Sequence, residues 1–176
     1  MILITGGMGF IGLHTAKRFL DAGEDVVITR HSAWREPDFI RDEYGKRVKV
    51  ERADVTSPHD MLDVVGKHKV TGIVHLAVPG LAALSAAEDY RVNTTGLLSV
   101  LEAARIWGVR RVTLASSIAI YGSLPQGPFR EDALLPVESG NPTETFKKTW
   151  EVLGLHYAAR TSLDLAVTRL EGTKER

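Results

Sequence analysis

Three glycines near the start of the chain have a spacing that suits a phosphate-binding turn. Residues 2–12 read Ile-Leu-Ile-Thr-Gly-Gly-Met-Gly-Phe-Ile-Gly, so Gly6, Gly9 and Gly12 fit G-x-x-G-x-x-G, and Gly7 begins the alternative pattern G-x-G-x-x-G. A glycine adopts the positive φ of a tight turn without strain, and its missing side chain lets the backbone approach a phosphate. The sequence therefore predicts a pyrophosphate site at these glycines, with an unliganded strand–helix turn as the alternative.

The residues after this turn predict a helix whose N-terminus faces the same anion. Apolar periodicity runs from Phe10 to Ala22 and ends at Gly23. The side chains expected on or near one face are Ile11, Thr15, Phe19 and Leu20. The first N–H groups of a helix have no partner inside it, and the helix dipole favours an anion at that end. We therefore expect the backbone N–H groups of Phe10 and Ile11 to contribute to binding.

The second apolar run ends in a basic residue where dinucleotide-binding folds often carry an acid. An acid about 20 residues after the glycines usually holds the ribose hydroxyls of NAD. Here that place is occupied by Thr29-Arg30-His31, and the next acid is Glu36. Because a guanidinium can bind a 2′-phosphate, Arg30 favours NADP over NAD, with a surface arginine at a strand end as the alternative.

Two further strand ends carry residues that suit the adenine and ribose of such a ligand. Asp54 and Val55 follow the third apolar run, where the carboxylate could accept a hydrogen bond from the adenine amino group and Val55 could contact the ring. The alternative is that Asp54 caps the next helix. Leu76 and Ala77 follow the fourth run, where small residues let a ribose lie on the backbone, and His75 beside them is interpreted as a core histidine.

Two hydroxyls at the end of the fifth apolar run could act on a substrate. Ser116 and Ser117 lie where the carboxyl end of a central strand would face a bound nicotinamide. A serine there can polarise a carbonyl or hydroxyl group of a substrate by hydrogen bonding. The alternative is that these serines end the strand and cap a turn.

The composition narrows the class of protein. The 176 residues are enough for one domain with a core, and the 22 basic and 22 acidic residues give a formal net charge of zero. That balance argues against a protein that binds nucleic acid or a membrane surface. There is no cysteine, which excludes disulfides and cysteine-bound zinc, and no metal site is predicted. No apolar run approaches the ~20 residues that span a bilayer, and the first core strand begins at residue 2, so a cytoplasmic protein is expected.

Alternating strands and helices must position these residues. Short apolar runs predict six strands, at Ile2–Ile4, Val26–Thr29, Val48–Glu51, Gly72–Val78, Val112–Ser116 and Leu165–Leu170. Periodic runs predict helices at Phe10–Ala22, His59–His68, Leu81–Trp107 (one helix or two) and Thr143–Arg160. This alternation indicates an α/β fold with a doubly wound parallel sheet over residues 1–176. Residues 122–142 are rich in Pro and Gly, follow a strand end, and predict an active-site loop.

Together these segments resemble the extended short-chain dehydrogenase/reductase superfamily, in particular its NAD-dependent epimerase/dehydratase family of nucleotide-sugar enzymes. The resemblance covers residues 1–122 in the family's order. Its matching pieces are Thr5–Gly12, Asp54–Val55, His75–Ala77, Tyr90–Asn93, Leu101–Ala104 and Ser116–Gly122. The resemblance implies a Rossmann fold with strand order 3-2-1-4-5-6, NADP or NAD as cofactor, and hydride transfer on a nucleotide sugar.

The resemblance also implies roles for individual residues. By position, Ser117 is similar to the family's substrate-binding catalytic serine, and Asn93 to its helix asparagine near the active site. The family carries Tyr-x-x-x-Lys on the next helix, where the lysine binds the nicotinamide ribose and lowers the pKa of the tyrosine, which acts as general base. Alignment through Glu151 makes Lys147 this lysine and puts Thr143 at the tyrosine position. A threonine hydroxyl is too weak an acid to replace the phenol.

Two departures from the family leave the activity open. The tyrosine is missing, and family members continue into a small domain that binds the sugar nucleotide, so most of a substrate lobe is expected to be absent. The hypotheses are a family enzyme, a non-catalytic dinucleotide-binding sensor or partner subunit, and a fragment of a longer epimerase/dehydratase. A homodimer through the helices at 81–107 and 143–160 is also implied. For Lys147 and Lys148, solvated helix charges are the alternative.

Overall fold

Six parallel strands form one sheet in the order β3-β2-β1-β4-β5-β6, and this confirms the predicted order. The computed structural model describes residues 1–79, 84–122, 124 and 128–171. The strands are β1 Ile2–Thr5, β2 Val26–Arg30, β3 Val48–Arg52, β4 Gly72–His75, β5 Arg111–Ser117 and β6 Leu165–Leu170. The helices are α1 Phe10–Asp21, α2 Asp38–Arg41, α3 Pro58–Lys67, α4 Ala86–Ile106 and α5 Pro142–Thr161, with a 3₁₀ helix at Ile118–Tyr121.

The hydrophobic core lies in two layers, one on each face of the sheet. Side chains alternate between the faces of a strand, so Leu3 of β1 packs on one side while Ile2 and Ile4 pack on the other. The first layer joins α3, α4 and α5 to the sheet, and its largest member, Trp150 of α5, is fully buried. The second layer joins α1 and α2 to β1, β2 and β3. Because helices cover both faces of the sheet, its strands carry apolar side chains on both faces.

Side-chain caps define the N-termini of α3, α4 and α5, the three helices of the first core layer. Ser57 accepts a hydrogen bond from the Asp60 backbone N–H at 3.2 Å and precedes a proline in the first position of α3. Ser85 and Glu88 form a reciprocal capping box at the start of α4. Asn141 accepts from the Glu144 N–H at 2.9 Å before α5. These caps hold the helix ends that surround the carboxyl edge of the sheet.

The structure corrects several predicted boundaries and one predicted face. β4 ends at His75 rather than Val78, and α4 begins at Ala86, while residues 81–83 of the predicted helix lie outside the described residues. The short α2 and the 3₁₀ helix were not predicted. The predicted face of α1 is correct only in part, because Leu20 is buried and Phe19 packs on the core while Ile11 is exposed. The buried members of this helix are Gly12, Leu13, Ala16 and Leu20.

Ile11 is 39% exposed and belongs to the outer side of α1, where Phe10 is 42% exposed. Apolar residues therefore occur on both sides of this helix, so apolar spacing alone did not identify the core face. Within the part of the chain that the structure describes, no helix is long and apolar enough to cross a membrane.

Candidate functional site

The glycine turn between β1 and α1 has the geometry that a phosphate loop needs. Gly6 has a φ of +66°, and a Cβ at this position would lie 2.9 Å from Ala77 Cα. A Cβ at Gly12 would lie 2.6 Å from Gly6 O and 2.7 Å from Gly7 Cα, so α1 packs against the turn only because Gly12 has no side chain. A Cβ at Gly9 meets a single atom within 4 Å, Gly6 O at 3.3 Å. The turn thus leaves an open space beside Gly9, here called the cradle, which is bordered by Gly6 and the start of α1.

The start of α1 presents backbone donors to this cradle. The N–H of Leu13 donates to Gly9 O at 3.0 Å, so the N–H groups of Phe10, Ile11 and Gly12 precede the first regular helical bond. The first turn of α1 contains no acidic residue. The positive end of the helix dipole therefore lies beside the cradle without a competing carboxylate on its own helix, which suits an anion.

Thr5 ties the turn to the end of β4. Its hydroxyl pairs with His75 Nδ1 at 2.7 Å and accepts from the backbone N–H groups of Leu76 and Ala77 at 3.2 and 3.3 Å. This places Leu76 and Ala77, both partly exposed, directly beside Gly6. The two segments that sequence reasoning assigned to a ribose and a pyrophosphate are therefore neighbours.

At the end of β2, Arg30 is half-buried under an aromatic side chain that sequence reasoning did not single out. The Arg30 Cζ lies 5.4 Å from the centroid of the Trp34 ring. Trp34 Nε1 donates to Glu36 Oε1 at 2.9 Å. Arg30 is therefore held at its strand end rather than extended freely into solvent.

Asp54 and Val55 lie at the end of β3, facing α4. Asp54 Oδ1 accepts from the backbone N–H and the hydroxyl of Thr56, each at 2.8 Å. Ser57 caps α3, so Asp54 is not the helix cap that formed the alternative to adenine contact. A Cβ at Gly96 of α4 would lie 3.1 Å from Val55 Cγ2, which shows how closely α4 approaches this loop. Adenine contact through Asp54 stays a prediction.

The two serines at the end of β5 have different environments. Ser116 is buried, and its hydroxyl pairs with Glu151 Oε1 on α5. Ser117 is partly exposed, and its Oγ accepts from the Ala119 N–H at 3.1 Å, which caps the 3₁₀ helix. Only Ser117 is open to a ligand, although its structural role as a cap is present as well.

Lys147 on α5 is half-buried against an aromatic stack, which sequence reasoning did not anticipate. Its Nζ lies 3.8 Å from the centroid of Trp150, and this ring stacks on His75 at 4.5 Å with an interplanar angle of 18°. Burial lowers the pKa of the Lys147 ammonium to about 8. Within the described residues Lys147 has no carboxylate partner. Its ammonium is therefore an uncompensated, partly desolvated charge, and the solvated-charge alternative is wrong.

His75 lies in the core, as interpreted from the sequence. Complete burial, and secondly the charge of Lys147, lower its pKa to about 3. Its Nδ1 pairs with Thr5, but its Nε2 has no hydrogen-bond partner among the described residues. Because the ring stays neutral near pH 7, His75 is unsuited to donate a proton there.

Lys148 is not a solvated charge either. It is 12% exposed, and its Nζ donates to Pro136 O at 2.6 Å, Glu138 O at 2.8 Å and the carboxylate of Glu144 at 2.8 Å. Glu144 in turn accepts from the Gly140 N–H at 2.9 Å. This cluster attaches the loop before α5 to the helix, beside Thr143 in its first turn.

A second buried network, which no sequence motif indicated, joins β5, β6 and α5. Arg169 pairs with Glu151 through two contacts of 2.9 and 3.1 Å, and it donates to the Tyr121 hydroxyl and to Glu131 O. Tyr121 OH donates to Arg130 O at 2.9 Å, and its ring stacks on Phe129 at 4.6 Å. The pairing with Glu151 raises the pKa of Arg169 further above its usual value. Tyr121 is thus engaged in packing.

Comparison with known proteins gives a consistent result over this whole arrangement. The profile of the NAD dependent epimerase/dehydratase family matches residues 2–172. A UDP-glucose 4-epimerase of Lacticaseibacillus casei is 32% identical over 166 residues, which are 89% of this chain and 46% of the relative.

Solved structures with the same fold include two epimerases. The Thermus thermophilus UDP-glucose 4-epimerase in complex with NAD has a TM-score of 0.80 at 28% identity, covering 96% of this chain and 54% of that one. The Bifidobacterium longum enzyme in complex with NAD⁺ and UDP has a TM-score of 0.83 at 26% identity, covering 96% and 52%. The chain thus spans about half the length of the relatives that it matches. On its sequence and its fold, it belongs to the NAD dependent epimerase/dehydratase family.

Proposed function

We propose that this chain binds a nicotinamide dinucleotide across the carboxyl edge of its sheet, as the cofactor-binding part of an enzyme that acts on a nucleotide sugar. The observation that carries the proposal is the open cradle at Gly9, bordered by the free N–H groups of Phe10, Ile11 and Gly12. The relatives solved with NAD support the class of ligand. The pyrophosphate would lie at the glycine turn, the adenosine toward Arg30, Asp54 and Val55, and the central riboses against Leu76 and Ala77.

The catalytic edge of the proposed site contains Ser117 and Lys147. Ser117 is open to a ligand at the end of β5 and can donate a hydrogen bond to a sugar hydroxyl or carbonyl. The Lys147 ammonium, which lacks a carboxylate partner within the described residues, would donate to the hydroxyls of the nicotinamide ribose. A bound nicotinamide would supply hydride chemistry. The proton would have to move by another group, because Thr143, one turn before Lys147, cannot act as general base near neutral pH.

A second candidate function is dinucleotide binding without catalysis, as in a sensor or a partner subunit. The specific observation that favours it is the environment of Lys147, whose ammonium faces the ring of Trp150 while the position one turn earlier holds a threonine. The two candidates share the cofactor site and differ in turnover.

Titration calorimetry with NAD and NADP tests the shared part of the proposal. In Gly9→Val, the side chain fills the cradle, so we expect the affinity for both dinucleotides to fall at least about 100-fold. Ala22→Val, at the exposed opposite end of α1, is the matched control and should bind like the wild type. A Gly9→Val protein that melts like the wild type and binds dinucleotide equally well would remove the phosphate-loop assignment.

We also propose that the chain forms a homodimer through α4 and α5. Each of these helices exposes large apolar side chains that the chain itself does not cover. They are Tyr90 at 56%, Leu98 at 43%, Val152 at 69% and Leu155 at 51% exposure. We expect light scattering to give twice the chain mass and Leu155→Asp to give a monomer. Leu134→Asp, at an exposed loop leucine, is the control, and a monomeric wild type at high concentration would contradict the proposal.

A further inference from the structure

We propose that Arg30 and Arg52 together form a site for a phosphate monoester on the adenosine ribose, so that this chain selects NADP over NAD. The inference rests on the proposed dinucleotide site and specifies its ligand. It goes against the solved relatives described above, which hold NAD.

The two arginines are neighbours on the same face of the sheet. Arg30 of β2 is in register with Arg52 of β3, and the strands are parallel. Side chains two residues apart share a face, so Arg30 follows Val26 and Ile28, and Arg52 follows Val48 and Val50. All four of these apolar residues belong to the core layer of α1. Arg30 and Arg52 therefore leave adjacent strand ends on the same face of the sheet, which is the face that α1 covers.

No acid offsets this pair of like charges. Among the described residues, neither Arg30 nor Arg52 forms an ion pair or a side-chain hydrogen bond. The nearest acids along the chain are engaged elsewhere. On either side of Arg30, Asp25 accepts from Arg47 and Glu36 accepts from Trp34. On either side of Arg52, Glu51 accepts from Lys67 and Asp54 accepts from Thr56. Adjacent like charges without a counter-ion cost free energy, and a dianionic phosphate between them would offset that cost.

Trp34 holds Arg30 in an orientation that leaves its donors available. The ring lies over the guanidinium at 5.4 Å and itself stacks on Tyr44 at 5.8 Å, while Tyr44 OH donates to Arg35 O at 2.9 Å. An arginine stacked through its flat face keeps its N–H groups in the plane, where they can bind two oxygens of one phosphate. The stack therefore pre-orients Arg30 and lowers the entropy that binding would cost.

The end of β2 also lies where the adenosine ribose of a bound dinucleotide is expected. The Gly7 N–H donates to Thr29 O at 3.1 Å, so the residue before Arg30 contacts the glycine turn directly. In dinucleotide-binding sheets the adenosine ribose lies at this strand end, and an arginine there accommodates a 2′-phosphate. The charge pair and the glycine turn thus lie at the same edge of the sheet, on neighbouring segments.

Calorimetric titration of the same protein with NADPH and with NADH tests this selection. The difference in affinity between 2′,5′-ADP and 5′-ADP gives the contribution of the 2′-phosphate alone. We expect NADPH to bind at least about tenfold more tightly than NADH, since a charge-assisted contact is worth about one or two powers of ten in affinity. Arg30→Gln should reduce NADPH affinity about tenfold or more and change NADH affinity less than about twofold. Arg52→Gln, at an exposed side chain, should show the same pattern with a smaller loss.

Lys49→Gln is the matched control, because Lys49 lies in β3 on the opposite face and donates to Gly45 O. It should change neither affinity. The preference should also weaken as salt rises, and below about pH 6, where the phosphate takes up a proton. NADH binding as tight as NADPH, or equal losses of both in Arg30→Gln, would overturn the inference while leaving the dinucleotide site standing. Absence of binding by either dinucleotide would instead overturn the proposed function and this inference with it.

Discussion

The two ends of the candidate site are built from different kinds of chemistry. At the glycine turn, the ligand-facing groups are backbone N–H groups, and the residues matter mainly for what they lack, as at Gly9 and Gly12. At the edge formed by β5 and α5, the groups are side chains, and the key position is occupied by Thr143. A backbone site keeps its function as long as the turn keeps its shape, whereas an acid–base site loses its function with one side chain.

The packing around each end differs in the same way. The glycine turn is fixed by steric limits and by the single hydroxyl of Thr5. The α5 edge is fixed by charged and aromatic side chains, which hold Lys147 over Trp150 and pair Glu151 with Arg169. Binding and catalysis are therefore separable in this chain, and the following predictions test how far that separation goes.

The largest expected effect is the absence of turnover next to intact binding. Because no phenol stands one turn before Lys147, we expect the 176-residue chain to bind dinucleotide but to show negligible epimerase or dehydratase activity on nucleotide sugars. The measurement is reduced-cofactor absorbance over a panel of nucleotide sugars, with binding confirmed on the same preparation. Robust wild-type turnover that disappears in Ser117→Ala would contradict this prediction and show that the chain catalyses the reaction by itself.

The next effect in size separates the stability of the α5 edge from binding at the glycine turn. Glu151→Ala leaves Arg169 without its carboxylate in a site where it is only 19% exposed, so we expect a loss of about 3–5 kcal/mol in the free energy of unfolding. Urea unfolding measures this loss. Dinucleotide affinity of the folded variant should change less than about threefold, since Glu151 does not contact the cradle.

Glu102→Ala is the matched control for this comparison. Glu102 also pairs with an arginine, Arg105, and with a tyrosine hydroxyl, that of Tyr157, but it is 44% exposed. We expect its loss to stay below about 1 kcal/mol, because solvent screens the pair. Equal losses in the two variants would mean that burial does not determine how much the Glu151–Arg169 pair contributes to the free energy of unfolding.

The sequence predicted the glycine end far better than the α5 end, for a physical reason. Strands buried on both faces appear as continuous apolar runs, and the glycine spacing is local, so β1 and the turn followed from adjacent residues. The strand order came from the resemblance to the family. The partners of Trp150 are His75 and Asn93, which lie 75 and 57 positions earlier and carry no spacing that links them. The pairing of Glu151 with Arg169 likewise depends on tertiary packing.

Errors within α1 have the same origin. Phe10 and Ile11 are apolar on the outer side of the helix, and the core side includes the small residues Gly12 and Ala16. Close packing of α1 on the sheet requires small side chains, which a search for large apolar residues passes over. Apart from Lys147, the predicted site residues lie in the glycine turn, at the start of α1 or at strand ends, so their placement does not depend on which face of a helix is buried, and their roles stay predictions.

The smallest predicted effect concerns His75, which touches both ends of the site through Thr5 and Trp150. The pKa of His75 is lowered to about 3 in the folded chain, against about 6.5 when unfolded, so the unfolded state takes up the proton first as pH falls. Its contribution is complete above about pH 6.5 and is lost between pH 6.5 and 3, at about 1.4 kcal/mol per pH unit. Between pH 6.5 and 4.5 this amounts to about 2 kcal/mol, because the unfolded histidine is already half protonated at pH 6.5.

Urea unfolding at these two pH values, on His75→Phe and on the wild type, measures the contribution. Phenylalanine keeps an aromatic ring for the stack on Trp150 but cannot titrate, so the decline in the free energy of unfolding between pH 6.5 and 4.5 should be about 2 kcal/mol smaller, whatever the stability at pH 7. His59→Gln, whose histidine is 83% exposed, should keep the wild-type decline. An unchanged decline in His75→Phe would show that the buried ring does not link the glycine turn and the α5 edge to acid stability, and other groups would then have to carry it.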